Sequence, residues 1–215
     1  MAEFLGVAGH PPGGYTVPYQ PARPLKLAPW KQLGMRFNLV DRIAEVVPGR
    51  LIRAWKNLTL GEEYLADHFP TFPVMPGVLM LQALVEAGAW LLRATDEFRY
   101  AVIVLREARN VKYGTFMQPG GQMRILVELA EVDGPLAHLK GKGEVDGAAT
   151  VSARLTLCRY NLSDRNPALA SADERIVTSL RERYRMLCGE LAPSPLPLSP
   201  VSGERARGEG AVTAG

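Results

Sequence analysis

Residues 68–84 read HFPTFPVMPGVLMLQAL, and this stretch decides the fold. Three prolines, Pro70, Pro73 and Pro76, fall within seven residues. Each proline removes a backbone N–H donor and restrains the residue before it, which excludes both a helix and a sheet ladder here. We therefore expect a stiff, ordered loop. Pro76 is suited to open a helix, because the first helical turn does not use its N–H groups.

Apolar residues follow this loop at spacings of three and four, which predicts a helix that is apolar nearly all round and therefore buried. The most apolar part, residues 78–92, also contains Gln82 and Glu86. At 15 residues it is shorter than the roughly 20 that a bilayer requires. We expect a core helix and no membrane span. The N-terminal segment lacks the basic-then-apolar pattern of a signal peptide, so we expect a cytoplasmic protein.

The rest of the chain shows strand patterns. Residues 51–60 alternate roughly and predict a strand, preceded by a short apolar element at 37–47. Four further runs are strand-like, and glycine turns separate them: 100–111, 122–132, 136–145 and 148–158. Asp146-Gly147 between two alternating segments predicts a hairpin. One strand, a long buried helix and then an antiparallel meander indicate an α+β fold, a sheet wrapped around one central helix.

The composition divides the chain into four parts. Residues 1–32 are rich in Pro and Gly and predict an extended, partly disordered arm. Residues 33–160 hold the strands and the buried helix. Residues 161–191 predict a helical extension, whose apolar stripe indicates packing on the core or on a partner. Residues 192–215 are biased to Pro, Ser, Gly, Arg and Glu and predict a disordered tail.

Charge and cysteine usage exclude several classes of protein. The net charge is +3 over 215 residues, without a dense basic run, so we expect no nucleic-acid partner. The two cysteines, Cys158 and Cys188, lie 30 residues apart and predict free thiols in a reducing compartment.

His68 and Gly77 are the candidate chemical groups. His68 ends a polar segment and precedes the proline-rich loop, which would hold it in place as a general base requires. Gly77 lies where the first backbone N–H groups of a helix are unpaired and the dipole is positive. Its amide could hold the oxygen of a thioester carbonyl. Two plainer interpretations stay open, a surface histidine and a glycine that merely relieves crowding.

The motif HFPxxPVMPGVLxxxAL resembles the central motif of the bacterial 3-hydroxyacyl-acyl-carrier-protein dehydratases, of the FabZ and FabA types. The resemblance covers about residues 33–160 and continues in four further segments, at 37–50, 54–59, 108–129 and 141–155. It implies a hotdog fold and a homodimer or higher homo-oligomer with acyl tunnels at the interface. It implies neither a cofactor nor a metal. The implied substrate is an acyl thioester on acyl carrier protein or coenzyme A.

The same resemblance implies the loss of water from a 3-hydroxyacyl thioester. His68 would take the Cα proton, and the helix-start amides of Gly77 and Val78 would bind the carbonyl oxygen. The loop that positions these groups would be formed by Phe69, Pro70, Pro73, Met75 and Pro76. A carboxylate on the central helix of the other subunit would protonate the departing hydroxyl.

The sequence departs from the family at that carboxylate. Fourteen positions after the histidine the family has an acid, and this chain has Gln82. An amide can hydrogen-bond a hydroxyl, but it cannot deliver a proton as a carboxylic acid does. Glu86 lies one turn further along the same face of the helix, where the family commonly has Gln. Glu86 is therefore either a displaced acid or the partner of a buried cation or polar group.

The leading hypothesis is a dehydratase of fatty-acid or related lipid or polyketide synthesis. The alternatives are a non-catalytic acyl-binding subunit that forms a heteromer with a paralogue, and a hotdog thioesterase in which Gln82 positions a water. Three basic residues, Arg106, Arg109 and Lys112, are candidates for docking an acidic carrier.

Overall fold

The computed structural model describes residues 38–189, so the predicted arm at 1–32 and the tail at 192–215 lie outside the described residues. The elements follow in this order: β1 Arg42–Val47, β2 Leu51–Asn57, a 3₁₀ helix Glu63–Ala66, α1 Gly77–Thr95, β3 Val102–Tyr113, β4 Gln122–Asp133, β5 Leu136–Val145, β6 Ala148–Tyr160, two short 3₁₀ helices Leu162–Asp164 and Pro167–Leu169, and α2 Ala170–Cys188.

The central helix α1 begins where the proline pattern predicts. Pro76 is its N-cap, and the Pro76 carbonyl accepts hydrogen bonds from the amides of Leu79 at 2.9 Å and Met80 at 3.2 Å. At 19 residues α1 is longer than predicted, and by length and composition alone it could cross a bilayer. The prediction that its shortness excludes a span was therefore wrong. Instead, 56% of its apolar window is buried inside the fold, which is typical of a core helix.

All six strands form one antiparallel sheet in the order β1-β2-β4-β5-β6-β3. The predicted meander is correct for β4, β5 and β6 but wrong for β3, which pairs with β6 at the edge of the sheet. The apolar element at 37–47 contains an additional strand, β1. The pairing of β3 with β6 places β1 and β3 at the two edges of the sheet.

The hairpin between β5 and β6 is confirmed. Asp146 and Gly147 connect Val145 to its partner Ala148, and both have positive φ, 51° and 80°, as a two-residue I′ turn requires. Further along β5, Gly141 allows α1 to approach the sheet closely. A Cβ atom on Gly141 would lie 3.1 Å from Cδ1 of Leu84, so a side chain there would push the helix away.

The C-terminal helix α2 packs on the core beside the second half of α1. Leu187 is buried, and the ring of Tyr184 lies 6.1 Å from Trp90 and 5.4 Å from Phe98. The guanidinium of Arg181 donates a 2.7 Å hydrogen bond to the carbonyl of Glu97. The predicted apolar stripe of this helix therefore faces the fold itself.

Candidate active site

The proline-rich loop is fixed to its surroundings by backbone hydrogen bonds. The amide of His68 donates to the carbonyl of Tyr64 at 3.1 Å, and the amide of Val74 donates to the carbonyl of His68 at 3.1 Å. The amide of Met75 donates to the carbonyl of Met117 at 2.9 Å, and the side chains of Val74 and Met75 are both buried. These contacts hold the loop as the sequence predicts.

The imidazole of His68 has a defined orientation. Its Nδ1 lies 3.0 Å from the carbonyl oxygen of Val74. A carbonyl only accepts, so Nδ1 carries the proton and Nε2 keeps its lone pair in the neutral ring. The ring also stacks on Phe69, with 4.3 Å between centroids. A half-buried histidine with a basic Nε2 and a fixed ring is suited to take a proton from a bound substrate.

The amides of Gly77 and Val78 open α1 a short distance along the chain from this imidazole. The Pro76 carbonyl uses the amides of Leu79 and Met80, so the helix itself leaves the amides of Gly77 and Val78 available as donors. A Cβ atom on Gly77 would lie 3.0 Å from two ring carbons of Tyr113. The glycine therefore accommodates the Tyr113 ring directly over the start of the helix.

The other loop positions differ in exposure. Phe69 and Val78 are 51% and 65% exposed, and Pro70 is exposed as well. Pro73 and Pro76 are half-buried, whereas Met75 lies in the core. The structure therefore places an apolar surface beside the histidine and the helix start.

Comparisons with known proteins identify the family of this chain. Residues 33–154 match the model of the FabA-like domain. The chain belongs to the FabA-like family. Over 120 residues it is 37% identical to the 3-hydroxyacyl-[acyl-carrier-protein] dehydratase FabZ of Bacillus subtilis, covering 56% of this chain and 85% of that one. FabZ of Clostridium acetobutylicum is 34% identical over 118 residues, covering 55% of this chain and 84% of the relative.

A solved structure, the dehydratase heterocomplex ApeI:P from Xenorhabdus doucetiae, shares the fold with this FabA-like chain. Its TM-score is 0.51 at 16% identity, covering 62% of this chain and 90% of that one. The predicted hotdog fold, a sheet wrapped around a long helix with an added C-terminal helix, is confirmed.

In this FabA-like chain Gln82 and Glu86 have different surroundings. Gln82 is exposed on α1, one turn beyond Val78. The Oε2 atom of Glu86 accepts hydrogen bonds from the amides of Leu39 at 2.7 Å and Val40 at 3.3 Å. A proton-donating role for Glu86 stays a prediction, and it would require the carboxyl group to leave these two amides.

Burial raises the pKa of Glu86 above its usual range, although the Leu39 amide and the charge of Arg183 act in the opposite direction. Arg93 lies in the same buried region, and burial lowers its pKa to about 10 while the charge of Glu86 raises it. Glu86 thus joins the segment before β1, the central helix and α2. These contacts fit the interpretation of Glu86 as the partner of buried polar and cationic groups.

The three basic residues predicted to dock a carrier, Arg106, Arg109 and Lys112, are exposed on β3. Arg109 pairs in register with Arg154 of β6, and Arg154 pairs with Lys140 of β5, so three cations lie side by side on the outer face of the FabA-like sheet. They line a groove of about 500 Å³ together with His138.

Three features of the site were not predicted from the sequence. The Val74 carbonyl that orients His68 leaves no pattern in side-chain types. Tyr113 lies at the end of β3, and its contact with Gly77 joins residues far apart in the sequence. Lys56, which pairs with Glu62 in the segment before His68, had a signal, because it interrupts the inward-facing series of Ile52, Ala54 and Leu58.

Proposed function

We propose that this chain is a 3-hydroxyacyl-thioester dehydratase of fatty-acid synthesis that acts on substrates carried by acyl carrier protein. The observation that carries the proposal is the pairing of His68 Nδ1 with the Val74 carbonyl, which leaves Nε2 basic in the loop that leads into the free amides of α1. The FabZ relatives, which are named for this reaction, support the proposal.

The reaction is an elimination of water. Nε2 of His68 takes the proton from Cα of the 3-hydroxyacyl thioester, and negative charge moves onto the thioester oxygen. The amides of Gly77 and Val78 stabilise this charge at the positive end of the helix dipole. The electron pair then forms the Cα–Cβ double bond as the Cβ–O bond breaks. The hydroxyl leaves with one proton from a donor as water, and the product is a trans-2-enoyl thioester.

The donor of that last proton is the unusual part of the site. We propose that the position of Gln82 faces the hydroxyl in the site of a partner subunit, as the family resemblance implies. A homodimer would then supply an amide that only hydrogen-bonds the hydroxyl. A heteromer with a paralogue that carries a carboxylate at this position would supply an acid, which typically contributes about 10²–10⁴-fold in rate.

Carrier docking follows from charge. We propose that an acidic carrier binds the outer sheet face around Arg154 and Lys140, because these two adjacent cations repel each other and a carrier carboxylate would relieve that repulsion. Arg109 lies beside them and already pairs with Glu107 at 2.8 Å. Among residues 38–189, the ion pairs with carboxylates do not include Arg154 or Lys140.

Location in the cytoplasm, a dimeric state and the absence of a nucleic-acid partner stay predictions.

The test is an assay of the purified protein with a 3-hydroxyacyl-carrier substrate, with enoyl product followed by mass and absorbance. We expect slow turnover by the parent, loss of turnover in His68→Ala, and a gain of about 10²–10⁴-fold in Gln82→Glu. Glu86→Gln serves as the matched comparison, and retained turnover there would exclude a displaced acid.

Other outcomes would support the alternatives. Binding of the acyl thioester without turnover, in the parent and in Gln82→Glu alike, would refute the dehydratase proposal and favour a non-catalytic subunit. Release of free carrier thiol without enoyl product would favour a thioesterase. Coenzyme A thioesters tested in parallel distinguish the two carriers.

A further inference from the structure

We propose that the ion pair between buried Lys56 and half-buried Glu62 is a positioning device that sets the place of His68. The inference rests on the proposed function, because it assigns a role to residues that support the same site. The device joins β2 of the sheet to the 3₁₀ helix Glu63–Ala66, which leads directly into the histidine.

Lys56 occupies a position that would ordinarily be apolar. It lies on β2 among inward-facing residues and is only 3% exposed. Its Nζ lies 2.5 Å from Oε1 of Glu62 and 3.9 Å from Oδ1 of Asp41. The cation is therefore compensated mainly by Glu62, a residue of the segment that connects β2 to the site.

Two short steps connect Glu62 to the histidine. The carbonyl of Glu62 accepts the Leu65 amide at 3.0 Å, and the carbonyl of Tyr64 accepts the His68 amide at 3.1 Å. The pKa of Tyr64 is raised by burial first, and then by the charge of Glu62 and a hydrogen bond to it. Glu62 thus binds the sheet cation through its carboxylate and the 3₁₀ turn before His68 through its backbone carbonyl.

An ion pair contributes little to the stability of the segment before His68, but it can fix the orientation of that segment. Replacing a buried ion pair with apolar residues of similar volume is often neutral or stabilising, because both charges lose their hydration when buried. A short charged hydrogen bond is directional, however, and apolar packing is not. Since a displacement of about 1 Å can reduce catalysis about 10²-fold, an oriented 3₁₀ helix matters for the position of Nε2.

The experiment compares two ways of removing the pair. Lys56→Met leaves the half-buried Glu62 without its cation, whereas Lys56→Met combined with Glu62→Leu removes both charges. The matched control is Arg53→Met combined with Glu45→Gln, an exposed pair at 2.8 Å that joins β1 to the outward face of β2. Each variant is measured for kcat and KM with a 3-hydroxyacyl-carrier substrate and for stability by urea unfolding.

We expect the double variant at 56 and 62 to unfold at a urea concentration close to that of the parent, while its kcat stays about 10- to 100-fold lower and its KM changes by less than about 3-fold. The control should match the parent in all three quantities. If the double variant has both the stability and the kcat of the parent, the pair only supports folding and the inference is wrong.

A second readout does not depend on turnover, so it separates this inference from the proposed function. Hydrogen exchange of the His68 amide reports its bond to the Tyr64 carbonyl. We expect exchange at least about 10-fold faster in the double variant at 56 and 62 than in the parent and the control. Unchanged exchange would overturn the positioning role even if the parent proves to be an active dehydratase.

Discussion

Glu86→Gln tests whether the buried carboxylate on α1 stabilises or strains the fold. Oε2 of Glu86 accepts the amides of Leu39 and Val40, and the amide oxygen of Gln can accept the same two bonds. The pKa of Glu86 is raised because its burial outweighs these bonds and the attraction of Arg183. The charged form is therefore less stable here than it would be in water.

The sign of the effect follows from proton linkage. A carboxyl group with a raised pKa binds its proton more tightly in the folded state, so the parent loses stability as the pH rises from the ordinary carboxyl range through the raised pKa. Gln has no such proton and no such loss. Each unit by which the pKa in the folded state exceeds the pKa in the unfolded state lowers the free energy of unfolding of the charged form by about 1.4 kcal/mol. The variant should equal the parent in acid and exceed it near neutral pH.

The assay is urea unfolding followed by circular dichroism, at fixed protein concentration, between about pH 5 and about pH 8. Staying below the pKa of Arg93, which burial lowers to about 10, keeps that neighbour charged throughout. We expect the free-energy difference between Glu86→Gln and the parent to grow in favour of the variant as the pH rises.

Glu86→Ala is the control, since it removes the acceptor as well as the charge. Two buried amides would then lack a partner, at about 1–3 kcal/mol each, and the loss should persist at every pH. The reasoning would be refuted if Glu86→Gln lost as much stability as Glu86→Ala, or if its difference from the parent did not change with pH.

Three further predictions concern stability elsewhere. Asp96→Ala should lower the free energy of unfolding by about 3–5 kcal/mol, because it removes the carboxylate 2.8 Å from Arg159, which is 4% exposed; a loss below about 1 kcal/mol in urea unfolding would contradict this. Gly77→Ala should cost about 1–2 kcal/mol through contact with the Tyr113 ring, and Tyr113→Ala in the same chain should recover part of it in a double-mutant cycle. Gly147→Ala should cost about 1–2 kcal/mol because φ there is 80°, and a thermal unfolding midpoint equal to that of the parent would refute it.

The candidate site was only partly predictable from the chain. His68, Gly77 and the proline-rich loop were identified because their chemistry depends on neighbours within ten residues. The contact of Glu86 with the Leu39 amide spans 47 positions, and no local pattern marks a backbone donor that distant. The Lys56–Glu62 pair lies between these cases, because a lysine among inward-facing apolar residues signals a buried partner without identifying it.

The sequence by itself determined the local elements. Spacings of three and four predicted α1, alternation predicted the strands, and Asp146-Gly147 predicted the turn between β5 and β6, since side-chain period and backbone restraint act over a few residues. Only the tertiary structure decided that β3 pairs with β6, that Tyr113 covers Gly77, and that the Glu86 carboxylate binds backbone amides. These contacts join parts of the chain far apart in sequence, and packing of the whole sheet around α1 selects them.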